Sequence, residues 1–202
     1  VKSIVVDPYM TADAVKADVW LPVRPGSDTA LLLAWIRYII DTKGYDEEFV
    51  KYWTNLPFLV NPDTKLPYHA EEVWPDYTNP AADPNGVYDT PAYVCFDART
   101  NSVQPFPFTS PESSPVDPVP FTTADVNGVQ AKTAGQIYWE EAEPWTLDAA
   151  AETCWLEADR IKEALDLYIG ADWGGISGGV FSDHQECSST APLGMLMIDA
   201  LL

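Results

Sequence analysis

Two aspartates, each at the end of a short apolar run, are the residues best placed to do chemistry. Asp7 follows the β-branched run Ile4-Val5-Val6 and precedes Pro8, which cannot continue a strand ladder and biases the preceding residue toward extended geometry. Asp28 follows Val19–Val23 and the turn Arg24-Pro25-Gly26-Ser27, and it opens the apolar run Thr29–Ile40, which has helical length. Ligands of open α/β sheets bind outside the carboxyl ends of strands, where a carboxylate can accept hydrogen bonds from ribose hydroxyls or a base edge. The same residues also have plain uses, Asp7 as a turn former before proline and Asp28 as an acid facing the positive end of a helix dipole.

The elements implied around them alternate strand and helix, which points to a doubly wound α/β sheet. Strands are expected over Val1–Val6 and Val19–Val23, and helices over Asp28–Asp41 and Glu157–Ile169. A further helical segment opens at Thr146. The run Trp173–Phe181 is rich in glycine and reads as a strand, followed by the polar turn Ser182–Thr190 and an apolar helix from Ala191. Amides at the start of that helix, near Ser189 and Thr190, are potential donors to phosphate. Residues 57–145 hold most of the 18 prolines and many aromatics, and read as an irregular insertion. Short strands are expected there at Ala92–Asp97 and Gln136–Trp139, with turns at Asp83–Gly86 and Asn127-Gly128 and no regular helices. Its aromatics offer faces for a glycan or peptide, though pinning a proline-rich chain to its core is their more common use.

Other metal and nucleophile candidates are sparse. Cys95, Cys154 and Cys187 are far apart and include no C-x-x-C pair, so buried free thiols are expected rather than a zinc or iron–sulfur site within this chain. His69 lies in the proline-rich middle and reads as a packing or solvated residue, whereas His184 lies in the polar turn before the last helix.

In order along the chain, Val6-Asp7-Pro8, Thr11, Ala17-Asp18-Val19-Trp20-Leu21-Pro22-Val23-Arg24-Pro25-Gly26-Ser27-Asp28 and Asp46–Thr54 resemble the molybdopterin oxidoreductases of the dimethyl sulfoxide reductase family. The segment Leu147–Ile161 extends the likeness, with Cys154 where the family has glycine. Tyr9 stands where many members carry arginine, and Ser189 where they carry glycine.

The resemblance implies molybdenum bound by two molybdopterin guanine dinucleotides, with Val6, Asp7, Pro8, Pro25, Gly26, Ser27 and Asp28 holding the guanosine end of one. It also implies that His184, Gln185, Ser189 and Thr190 face the pterin. The metal ligand would lie elsewhere in a larger chain, as would any iron–sulfur cluster. Expected partners are the remaining domains of that enzyme and an iron–sulfur electron-transfer subunit. Family members are cytoplasmic or exported to the outer face of the cytoplasmic membrane. Residues 1–202 are accordingly expected to be part of one cofactor-binding domain cut from a longer protein, inactive by itself.

Charge narrows the alternatives. The formal net charge is −20, from 31 acidic and 11 basic residues, with no basic patch, which disfavours nucleic acid. No run approaches the length needed to span a bilayer. An NAD-dependent Rossmann enzyme would carry G-x-G-x-x-G after its first strand, and this chain does not. A non-redox hydratase or transhydroxylase of the same family and a non-enzymatic acidic binding module remain alternatives.

Overall fold

The computed structural model describes residues 1–82, 91–107, 110–178 and 189–202, which form two compact units, residues 1–45 with 141–202 and residues 46–140. The sheet and helix content is mixed α/β.

The first unit is built on two short parallel strands, β1 (Ile4–Val6) and β2 (Val19–Leu21), paired Ile4 to Val19, Val5 to Trp20 and Val6 to Leu21. Their connection, residues 7–18, has one 3-10 turn at Ala14–Lys16 and is about as short as a parallel crossover can be. The start of the pair is pinned by Asp18. Its carboxylate accepts from Lys2 Nζ at 2.6 Å and from the Ser3 N–H at 2.9 Å, and these bonds hold it below the ordinary carboxylate value. At the other end the Asp7 N–H donates to Leu21 O and Trp20 Nε1 donates to Asp7 O.

Helix α1 (Asp28–Asp41) is apolar nearly all round and is correspondingly buried, with Ile36 and Ile39 fully enclosed. In the second unit, α2 (Glu47–Tyr52) begins under a cap in which the Asp46 carboxylate accepts from the Phe49 N–H. Three antiparallel strands follow one another in space as β3 (Leu59–Val60), β7 (Val129–Thr133) and β6 (Thr123–Val126), and β4 (Tyr93–Asp97) pairs with β5 (Ser102–Phe106). The β6–β7 hairpin turns at Asn127-Gly128, both left-handed at φ 52° and 87°, the geometry that makes this dipeptide a hairpin signal. Helix α3 (Ala70–Val73) is one turn, and α4 (Ala134–Ala142) leads out of the unit. Back in the first unit, α5 (Leu147–Cys154), capped by Thr146 Oγ1, α6 (Ala158–Ile169) and α7 (Thr190–Leu201) complete the chain, with α1 packed against α5 and α7.

Several expectations change. Gln136–Trp139 is helix, not strand, because Thr133 Oγ1 accepts from the Gln136 N–H and starts α4 after the last ladder residue. The expectation of no regular helix in the middle region fails there as well. The described part of the glycine-rich run, residues 173–178, has no regular structure. Gly179–Ser188 lies outside the described residues, as does the turn Asp83–Gly86. The described parallel sheet has two strands, so a doubly wound sheet is not established by it.

The middle aromatics are chiefly packing groups. Phe58 stacks on Tyr93 with centroids 4.3 Å apart and meets Phe106 edge-on, around a core with Tyr52, Cys95 and Val116. A second cluster joins Leu59, Tyr68, Val94, Ala124, Val126 and Ala131. His69 is exposed beside Tyr93, ring centroids 5.2 Å apart. Cys95 and Cys154 are buried free thiols, and burial pushes both upward in pKa. Cys187 lies outside the described residues.

The β4–β5 corner depends on Asp97, 1% exposed. Its two oxygens accept from the N–H groups of Arg99, Thr100 and Asp117 and from the Thr100 hydroxyl, at 2.7–3.2 Å. Burial pushes the carboxyl up, and these bonds outweigh it, holding the group below its ordinary value of 3.8. The depressed folded value means that its contribution is present above 3.8 and is lost as pH falls through the folded value. Asp97→Ala should cost about 2–4 kcal/mol, because buried donors lose a charged acceptor, and should flatten the acid limb of a denaturation–pH profile. Self-repulsion among 31 acids and 11 bases yields a second expectation. Raising salt from about 0.1 M to about 1 M shortens the Debye length from about 10 to about 3 Å and should raise the melting midpoint by roughly 3 °C or more. Differential scanning fluorimetry reads it.

Candidate functional site

The carboxyl ends of β1 and β2 form one edge of the first unit. Asp7 closes β1, half-buried, and its Oδ1 accepts from the Tyr9 N–H at 2.8 Å. This is the turn-forming role, and among the described residues Oδ2 accepts no hydrogen bond. Val6 and Pro8, on either side, are exposed.

Beyond the end of β2 the chain makes a tight turn in which the Ser27 N–H donates to Arg24 O at 3.1 Å. Pro25 supplies the preset φ and Gly26 the left-handed φ of 85°, the combination that a type II turn requires. Ser27 is buried, and its hydroxyl donates to Arg24 O at 2.7 Å instead of capping α1. Asp28 is half-buried as the first residue of α1. The turn is clamped from α5: Arg24 N–H donates to Cys154 O at 2.9 Å, and Cys154 Sγ donates to Ser27 O at 3.5 Å. Burial pushes the Cys154 thiol up and the Asp28 charge adds to it, so the sulfur serves as a neutral clamp.

Helix α7 begins beside α1. The hydroxyls of Thr29 and Thr190 lie 3.1 Å apart, which joins the two helix starts. Ser189, exposed, precedes α7 without a side-chain cap. The structure therefore gathers the Ser27–Thr29 segment with Thr190, and puts Asp7 at the end of the adjacent parallel strand. His184 and Gln185 lie outside the described residues.

Sequence reasoning missed three side chains around this edge. The Arg24 guanidinium lies over the Trp155 ring, 5.2 Å from its centroid, and Trp155 is exposed. Arg160 donates to Trp20 O and pairs with Glu163. No periodicity marks these residues. The only available signal was an aromatic at a helix end where glycine is usual.

Asp7 after β1 and Asp28 at the start of α1 are half-buried carboxylates, the Ser27 hydroxyl is turned inward onto Arg24 O, and the Thr29 and Thr190 hydroxyls lie against each other. Among the described residues no three His, Cys, Asp or Glu side chains are grouped to hold a metal ion. No described helix is long and apolar enough to cross a membrane. In the second unit, Val73, Trp74, Pro75, Asp76, Tyr77, Gln104 and Pro105 line an open cleft of about 480 Å³.

No protein-family model matches the chain. It is 34% identical over 178 residues to a "Putative dimethyl sulfoxide reductase catalytic subunit" of Halobacterium salinarum, a match covering 87% of this chain and 19% of that relative. It is 55% identical over 60 residues, 30% of the chain and 6% of the relative, to dopamine dehydroxylase of Eggerthella lenta. Among solved structures, acetylene hydratase from Pelobacter acetylenicus has the same fold over 99% of this chain and 17% of its own, with a TM-score of 0.55 and 20% identity. The chain thus spans about a fifth or less of the length of these relatives. From the strand-end motifs, the long sequence match and the shared fold together, the chain belongs to the molybdopterin oxidoreductases of the dimethyl sulfoxide reductase family.

Proposed function

We propose that this chain supplies the guanosine-binding end of one molybdopterin guanine dinucleotide in a larger molybdenum enzyme. The observation that carries the reading is the placement of Asp7 and Asp28 beyond the carboxyl ends of two adjacent parallel strands. Asp28 accepts the two parallel N–H donors of a guanine edge, and Asp7 accepts from ribose hydroxyls. Val6 and Pro8 flank the sugar, Pro25 and Gly26 let the backbone approach the base, and Ser27 fixes the turn. Ser189, Thr190, His184 and Gln185 face the pterin side. The two strands begin a doubly wound sheet completed by other parts of the enzyme, with residues 57–145 as an insertion in it.

Bound in the full-length enzyme, the cofactor supplies oxygen-atom or electron transfer at molybdenum. This chain's own contribution is binding and orientation. The Cys154 clamp and the type II turn hold the Asp28 backbone before the nucleotide arrives, and such preorganisation lowers the ordering cost of binding. Partners are the remaining domains and an iron–sulfur electron-transfer subunit.

In the full-length enzyme, Asp28→Ala should leave two guanine donors unpaired and weaken cofactor retention by about 1–3 kcal/mol, with Asp7→Ala acting in the same direction. Metal analysis and guanine release on acid hydrolysis read the occupancy, and full molybdenum and guanine content in both variants would refute the assignment. The 202-residue chain alone should show no turnover and no stoichiometric molybdenum after expression in a molybdenum-replete host, because the metal needs two dinucleotides gripped by separate domains. Activity or a full metal load on this piece would contradict that division.

A further inference from the structure

We propose that Trp155 is the stacking platform for the base of the nucleotide that Asp28 reads, an inference that rests on the guanosine assignment above and adds a residue to it. Trp155 follows α5 and is 74% exposed, so its ring is not covered on both faces. The Arg24 guanidinium lies 5.2 Å from its centroid, which fixes the ring against the turn that leads to Asp28. The neighbouring Cys154 bonds both Arg24 and Ser27, so the indole and the Asp28 carboxylate are anchored to the same four-residue turn.

The backbone points the same way. Trp155 has φ 59° and ψ 37°, a left-handed conformation that a bulky residue rarely adopts and that glycine adopts freely. Packing does not account for an aromatic there, since most of the ring faces solvent. An exposed indole braced by a cation offers an open face to a flat heteroaromatic ring, and stacking of this kind tolerates any base. Trp155 thus supplies area and Asp28 supplies the choice of guanine.

The two roles separate in calorimetric titrations of the chain with GMP, AMP and ribose 5-phosphate. Trp155→Ala should weaken GMP and AMP alike, about 5- to 100-fold, and leave ribose 5-phosphate unchanged, whereas Trp155→Phe should retain most of the affinity. Asp28→Ala should weaken GMP selectively. Trp155→Gly should match or exceed the wild-type melting midpoint while losing base binding, because it relieves the left-handed residue. Wild-type affinity for GMP in Trp155→Ala, with Asp28→Ala still impaired, would overturn the stacking role and leave the site standing. Loss in Trp155→Ala with no effect of Asp28→Ala would support stacking and overturn the guanine assignment. A Trp155→Gly chain that unfolds well below wild type would show a packing role instead, and a wild-type chain that binds no GMP would overturn both.

Discussion

The parallel pairing of β1 with β2 is the constraint on which the proposed site depends. Parallel register sends both carboxyl ends to one edge, so an acid that closes the first strand and a turn that follows the second share a side of the unit. The register is fixed at both ends, by Asp18 against Ser3 and Lys2 and by the Trp20 indole donating to Asp7 O. Side chains alternate faces along a strand, so a slip by one residue would turn Leu21, fully buried, to the opposite face. Such a short pair has little ladder energy of its own. Its persistence rests on the burial of Val19 and Leu21 and on α6 packed against β2.

Helix α1 transmits that order to the second acid. Its interior is so apolar that its position is set by burial, and Asp28 then takes its half-buried place at the start of a rod fixed elsewhere. The turn before it is held by Pro25, Gly26 and the Cys154 clamp. The second unit solves a different problem, ordering a proline-rich stretch, and does so with stacked aromatics and with one buried carboxylate, Asp97, that gathers a corner through four hydrogen bonds.

What the sequence made legible was governed by local chemistry. The bounds of α1 followed from an apolar run between Asp28 and Asp41, and the Asn127-Gly128 hairpin from two residues that tolerate positive φ. The helical segment read as opening at Thr146 is α5, where the Thr146 hydroxyl turns out to be the cap. Gln136–Trp139 misled because Ile137, Tyr138 and Trp139 are β-branched and aromatic types enriched in strands, and Thr133, a partner fixed by the fold, decided for helix. The Thr29–Thr190 contact, across 161 positions, and the Arg24–Trp155 pair arise only when α1, α5 and α7 pack together, so no reading along the chain reaches them.

The central claim is that guanosine is held where these two strand ends meet, and the most direct measurement is a structure of the full-length enzyme with its cofactor bound. The account requires one guanine edge with its amino and ring N–H groups about 2.7–3.0 Å from the Asp28 carboxylate, and ribose hydroxyls within reach of Asp7. Guanosine bound elsewhere, with Asp7 and Asp28 contacting only solvent or protein, would contradict it.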